Sequence, residues 1–231
     1  MKITYIYHSC YAIETPQSAL IFDYFMHGGK PLEDIVTAKK SIYVFSSHAH
    51  GDHFNPEIFN WKAKNANITY ILSADIPKSR VPKTNGVIFL QEGEQYQDDT
   101  VSVTAYGSTD CGVSFFVSFG GKTIFHAGDL NNWHWNEEVP AEEAEGYSRA
   151  FLEKLEDISR SHKALDIVMF PTDPRLGRDY LLGASQFADK IKTGVFAPMH
   201  FGDNYDSAKA LRLHETPVFA VSKKGESMEV N

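Results

Sequence analysis

Cysteine is scarce in this chain. Two in 231 residues, Cys10 and Cys111, are too few for a disulfide framework, and either can serve as a small buried hydrophobe. No apolar run approaches the roughly 20 residues that a membrane span requires. The opening residues carry no apolar stretch of the signal-peptide kind. They run straight into a strand-like alternation, Ile3-Thr4-Tyr5-Ile6-Tyr7. Basic residues are not concentrated: the net charge is -8, and the nearest things to clusters are the pairs Lys39-Lys40 and Lys223-Lys224. Nucleic-acid binding needs a concentrated basic surface, so no nucleic-acid partner is expected. Low-complexity linkers and internal repeats are also missing. Neither Ser9 nor Cys111 sits in the setting of a serine hydrolase's nucleophile elbow. The expectations are a reducing, cytoplasmic setting, no membrane association and a small-molecule partner, with oligomeric state left open.

The chain is long enough for a sizeable core in one large domain or two small ones. Residues 1–130 hold short β-like runs near 3–7, 10–14, 19–23, 42–46, 68–72, 87–90, 101–105, 113–119 and 122–126, many separated by Gly, Pro, Asn or Asp. Gly120-Gly121 reads as a hairpin turn. The second half turns helical: Ala144, Tyr147, Phe151, Leu155 and Ile158 make one apolar stripe over 142–163. Strands at 166–170 and 194–198 follow, with a helix at 184–192 between them and a last strand at 217–221. Pattern alone supports a mixed α/β protein.

One segment carries chemistry. His48-Ala49-His50-Gly51-Asp52-His53 places four potential metal ligands in six residues, at the exit of the apolar run Ile42–Ser46. Imidazole and carboxylate are ligands of zinc, iron and manganese. If the segment starts extended, alternation points His48, His50 and Asp52 one way, and a turn at Gly51 would divide the cluster between two ions. Asn55, Pro56 and Glu57 then supply an N-cap, a first-turn proline and a first-turn acid for a helix.

This motif resembles the hallmark of the metallo-β-lactamase superfamily, and later segments extend the likeness to about Gly202. The resemblance implies one four-layer αββα sandwich domain over residues 1–231 and a pair of divalent ions, zinc with manganese or iron as alternatives. His126-Ala127-Gly128-Asp129 resembles the segment whose aspartate bridges the two metals. Met199-His200-Phe201 resembles the last histidine ligand. By the family's pattern Asp52, His53, Asp129 and His200 complete one metal site, while His48, His50 and the shared Asp129 serve the other.

The chain departs from that pattern in one place. No histidine lies between His53 and His126, and the segment where the family carries one reads Ser108-Thr109-Asp110-Cys111. Asp110 is the expected substitute, being already ionised, with the Cys111 thiolate or a simple turn as alternatives. An added carboxylate shifts preference from zinc toward manganese or iron.

His8 resembles a histidine at the active-site mouth in the branch that includes ascorbate-6-phosphate lactonase; a core role is the alternative. His134, between Trp133 and Trp135, either lines a substrate pocket with them or caps the core. His126 reads as packed behind the site. The Pro171–Arg175 turn is expected to hold an internal salt bridge, with substrate contact by Asp173 or Arg175 as the alternative. The resemblance implies hydrolysis by a metal-activated water whose pKa falls from about 15.7 toward 7, with Asp52 orienting it and handling its proton. The expected substrate is a small ester, lactone or phosphate ester. The competing reading, carried by the missing histidine, is a non-catalytic metal-binding or ligand-sensing domain.

Overall fold

A computed structural model describes residues 1–38 and 40–231; Lys39, half of one lysine pair, lies outside the described residues. Six strands of the first half, β1 (Lys2–Tyr7), β2 (Cys10–Glu14), β3 (Ser18–Phe22), β4 (Ser41–Ser46), β5 (Ile68–Ser73) and β6 (Val87–Leu90), lie side by side in chain order. A second sheet holds β7 (Gln95–Gln97), β8 (Val101–Gly107), β9 (Val113–Phe119), β10 (Lys122–His126), β11 (Ala164–Pro171) and β12 (Lys192–Met199). The last strand, β13 (Ser227–Glu229), returns to the first sheet and pairs antiparallel with β1.

Alternation along the strands builds the layers. In β3, Leu20 and Phe22 face the cluster shared with the second sheet, which includes Val103, Val117 and Ile124. Ala19 and Ile21 face the other way, onto Leu32, Ile35 and Val36 of α1 (Gly29–Thr37) and Ile58 and Trp61 of the 3-10 turn Pro56–Ala63. Burying each large aliphatic or aromatic side chain contributes roughly 1.5–3 kcal/mol, so a one-residue slip in register would expose a whole face. On the far side, α2 (Ala141–Ser161) and α3 (Leu182–Lys190) bury Phe151, Leu155, Ile158 and Phe187. The result is a four-layer αββα sandwich.

The structure corrects several sequence expectations. The helix after Asn55 is a 3-10 turn, although Asn55 does cap it by accepting from Glu57 N. The segment 217–221 makes only a single parallel bridge, Phe196 to Val218, against β12 at the edge of the second sheet, and the last strand is β13 instead. The three-residue strands β7 and β13 are too short to give a periodic signal, and sequence reading missed the short Leu32, Ile35 and Val36 stripe of α1. Tyr147 leaves the buried stripe of α2 and is 39% exposed, over the cleft described below.

Topology sets the site's position. Strands β3, β4 and β5 run parallel, as do β10, β11 and β12. Ligand-binding groups collect beyond the carboxyl ends of such strands. Asp23 follows β3, the His48–His53 motif follows β4, Asp129 follows β10, Asp173 follows β11 and His200 follows β12.

Candidate metal centre

Two close approaches draw these segments together. Gly112, in the left-handed region at φ 69°, presses the β8–β9 loop against the start of the histidine motif; a Cβ there would lie 2.1 Å from Ser47 O. The contact is tied by a hydrogen bond from Val113 N to Ser47 O at 2.9 Å. Gly128, also at positive φ, brings the Asp129 turn onto the same residue, where a Cβ would meet Ser47 Cβ at 2.7 Å. The non-glycine residues His8, Asp23, Trp135 and His200 also hold positive φ. Such strain persists where surroundings over-determine it and gathers at functional sites.

The side chains converge in two adjoining groups. In one, single ligand atoms of His8, Asp52, His53 and His200 lie within 4.8 Å of one another; in the other, those of His48, His50, Asp110 and Asp129 do so. Asp129 sits between them. Its Oδ1 is 3.2 Å from His53 Nε2 and 3.4 Å from His200 Nε2, while its Oδ2 is 3.4 Å from His48 Nε2. Asp52 Oδ2 lies 3.4 Å from His8 Nε2 and 3.7 Å from the Nε2 atoms of both His53 and His200. His50 Nδ1 and Asp110 Oδ2 are 3.7 Å apart on the more exposed side.

Hydrogen bonding behind the site fixes which nitrogens face it. His53 Nδ1 meets the buried Asp23 carboxylate at 2.7 Å, and His200 Nδ1 meets Asp173 Oδ2 at 2.9 Å. An ionised carboxylate only accepts, so both Nδ1 atoms donate and both Nε2 atoms present lone pairs. For His48 the chain has one more link. Ser47 Oγ donates to Asp23 Oδ2 at 2.6 Å, which leaves the hydroxyl to accept from His48 Nδ1 at 3.0 Å. Asp23 therefore sets the tautomer of two histidines, one of them through Ser47, and it also accepts from Ser47 N at 2.7 Å. The Nε2 atoms of His8, His48, His53 and His200, together with Asp129 Oδ1, are buried without a hydrogen-bond partner among the described residues. Buried polar atoms are seldom left so.

Electrostatics follow from this crowding. Burial lowers the His48 pKa to about 4, helped by His53, and burial likewise lowers His53 and His200, favouring the neutral, ligating form. Burial pushes the Asp23 carboxyl up, but His126 and His53 outweigh it and hold it at about 2. Asp52 is held low chiefly by its contact with His8. Asp129 is pushed well up by burial and by the neighbouring carboxylates Asp52, Asp23, Asp110 and Asp173. A carboxylate so placed calls for positive charge, and a bound cation would reverse that shift.

A cleft of about 440 Å³ opens over the groups, within the usual range for small-molecule sites. Trp133, Trp135, Tyr147, Thr109 and Arg175 form its walls, and His50, Asp52, Asp110, Asp129 and His200 also line it. Of the two readings of His134, pocket lining or core, the pocket one is corrected and the core one stands. Its ring turns into the core, where Nε2 meets Asp179 O at 3.1 Å and Nδ1 accepts from Asn136 N, because the flanking tryptophans occupy the cleft side. His8 joins the ligand-atom group instead of the cleft lining. His126 is packed behind the site, with Nε2 2.9 Å from Ser9 O and its ring stacked on Phe22. Cys111 is exposed and lies outside both groups, whereas Asp110 lies within one. Asp173 and Arg175 form the expected salt bridge, and the pair also reaches the site through His200 and the cleft.

Sequence reading missed Asp23 and Ser47. The available signal was an aspartate closing the wholly apolar strand Ala19–Phe22, a poor place for a charge without partners.

A family profile described as the β-lactamase superfamily domain matches residues 2–143. A protein of Archaeoglobus fulgidus named as a metal-dependent hydrolase is 26% identical over the full length of both chains. One of Carboxydothermus hydrogenoformans with the same name is 27% identical over 87% of this chain and 84% of its own. The match to a Desulforamulus reducens relative, also so named, is 26% identical and spans 56% of this chain and 62% of that protein. Among solved structures, a metallo hydrolase from Ignicoccus hospitalis superposes with a TM-score of 0.68 at 17% identity, covering 98% of this chain and 97% of that one. YhfI of Bacillus subtilis, a metallo-β-lactamase fold protein, gives 0.67 at 17% identity over 99% of each chain. The chain belongs to the β-lactamase superfamily, among its metal-dependent hydrolases.

Proposed function

We propose that the chain hydrolyses a small ester, lactone or phosphate ester at a pair of divalent ions, zinc or, given the added carboxylate, manganese or iron. The observation carrying this reading is the set of buried Nε2 atoms on His8, His48, His53 and His200 and the Asp129 oxygen, all without hydrogen-bond partners among the described residues and gathered in two ligand-atom groups. Ligands about 2.1 Å from a tetrahedral ion sit roughly 3.4 Å from one another, and the observed donor separations of 3.2–3.7 Å fit that spacing. His48, His50, Asp110 and Asp129 would hold one ion. Asp52, His53 and His200, with Asp129 reaching across, would hold the other, and His8 stands within reach as a further ligand.

When bound, such ions supply a water acidified from a pKa of about 15.7 toward 7 and polarise the substrate's oxygen. The chain's own residues do the rest. Asp52, half-exposed beside the cleft and steadied by His8, orients the attacking water and takes up its proton. Asp23 and Asp173 hold the imidazole rings in register. Trp133, Trp135 and Tyr147 shield the reacting carbonyl or phosphoryl group from bulk water. Asp110 groups with His48, His50 and Asp129, and a carboxylate standing in for the missing histidine supports an enzyme over a degenerate binding domain. The two unpaired cysteines suit a reducing, cytoplasmic setting, and no helix among the described residues is long and apolar enough to cross a membrane.

Elemental analysis of the purified protein, paired with hydrolysis of a panel of esters, lactones and phosphate esters, tests the proposal. Two ions per chain and turnover abolished in His53→Ala are expected. One ion or none, with no turnover across the panel in added manganese or zinc, would refute it.

A further inference from the structure

Among the described residues the cleft is lined by one permanent cation, Arg175, beside its metal-ligand candidates, and that cation is fixed in place by the sharing of one carboxylate. Asp173, almost wholly buried, caps the short turn Pro174–Asp179 by accepting from Arg175 N. Its two oxygens also take Arg175 Nε at 3.0 and 2.9 Å and Nη2 at 2.5 Å. The same Oδ2 receives His200 Nδ1. One carboxylate thus holds both a metal-ligand candidate and the guanidinium. Arg175 has five N–H donors, and its Nη1 pair makes no hydrogen bond among the described residues.

Another part of the cleft lining is aromatic. The rings of Trp133 and Trp135 lie 6.1 Å apart at 14° to each other. Trp133 is anchored by its Nε1 donating to Asp129 O at 2.8 Å and packs edge-on against His200. Trp135 keeps its ring in the cleft at the expense of a positive φ of 45°. A cleft with a planar wall, one forked cation and a reacting centre recognises a substrate with a flat body and an anionic end.

Building on the hydrolase reading, we infer that Arg175 is the specificity residue of this site. Its Nη1 edge binds a carboxylate or phosphate on the substrate, while the Trp133–Trp135 wall takes the flat or ring-shaped body beside the scissile bond. An overall charge of -8 makes non-specific attraction of anions unfavourable, and Arg175 adds local positive charge at a point of the cleft apart from the ligand groups. Guanidinium suits both anions because its fork matches their paired oxygens.

Calorimetric titration of the metal-loaded protein tests this without requiring turnover. The ligands are benzoate, phenyl phosphate and uncharged benzyl alcohol, which share one ring and differ in the attached group. Arg175→Gln is expected to weaken at least one of the two anions by about 10- to 100-fold, the loss of one charge-assisted contact, with a smaller change for benzyl alcohol. Arg175→Lys should recover part of the loss. Whether benzoate or phenyl phosphate loses more identifies the anion. Equal losses for all three ligands would overturn the inference, as would anion affinities unchanged in Arg175→Gln. So would a fall in bound metal that accounts for the anion loss, since Arg175 would then act only by steadying Asp173 and His200. If anions bind through Arg175 and no ester is hydrolysed, the hydrolase reading fails and this inference stands.

Discussion

Asp23→Asn tests the reasoning about tautomers most sharply. The substitution is nearly isosteric, so the cavity is kept. Asparagine has one acceptor oxygen and one donor NH2, but Asp23 now accepts from His53 Nδ1, Ser47 N and Ser47 Oγ. Whichever way the amide turns, one of these contacts sets donor against donor. If NH2 faces His53, the ring must accept at Nδ1 and carry its proton on Nε2, which then cannot ligate. In that orientation the amide also donates to Ser47 Oγ, which shares Oδ2 with His53, so the hydroxyl turns to accept and His48 loses its fixed tautomer. In the other orientation NH2 meets the Ser47 backbone N–H, which cannot accept. Disturbing the partner behind one ligating imidazole typically costs 10- to 100-fold in metal affinity, about 1.4–2.7 kcal/mol. Removing a charge-assisted contact from a fully buried group adds roughly 1.5–3 kcal/mol of folding destabilisation. Metal affinity should be measured by chelator competition, alongside melting of the metal-free protein. Nitrogen NMR of the histidines would report the tautomers directly. Wild-type affinity in Asp23→Asn, with His53 still protonated at Nδ1, would refute the scheme.

Further outcomes can be stated for other positions. Asp110→Asn should selectively release one of two ions, read as a drop toward one metal per chain; full retention of two would remove Asp110 from the ligand set. Gly112→Ala combines a left-handed φ with a Cβ 2.1 Å from a carbonyl oxygen. It should destabilise the protein by about 2–4 kcal/mol, lowering the melting temperature by roughly 5–15 °C in a scanning calorimeter. The metal-free protein should lose stability as pH falls from about 6.5 to about 4. In that window unfolded His48 takes a proton that the folded residue, with its pKa near 4, refuses, and the difference amounts to roughly 3 kcal/mol. Melting curves at pH 7 and pH 4.5 check it, and His48→Gln should flatten the slope. Saturating zinc or manganese at a hundred times its dissociation constant should raise stability by about 2.7 kcal/mol per site, an effect reversed by a chelator.

Much of the architecture was legible in the chain because alternation in strands such as Val101–Gly107 and the three-and-four spacing of α2 are direct consequences of burial. The six-residue motif was legible because four ligand types at the end of an apolar strand have few other uses. Asp129 and His200 were weak signals by themselves and gained meaning only from the first cluster. Asp23, Ser47 and the two glycines that press on Ser47 escaped notice. Their roles depend on contacts between segments distant in sequence, such as Gly112 against Ser47, which no local period encodes. His134 stayed open between pocket and core in the sequence, since only the fold shows that the flanking tryptophans line the cleft while the histidine turns inward. Tyr147 misled in its own way: it follows the helical spacing, yet it lines the cleft and is exposed.

Each ligand group draws on both sheets. His8, Asp52 and His53 come from the first and His200 from the second, while His48 and His50 come from the first and Asp110 and Asp129 from the second. Ions held there would act as rivets across the seam between the two layers, in addition to any chemistry. Stripped of them, the sandwich should part first along this rim, with amides around Ser47, Gly128 and His200 exchanging with solvent before those deeper in the strands. Loss of metal would then open the molecule at the very place where a substrate enters.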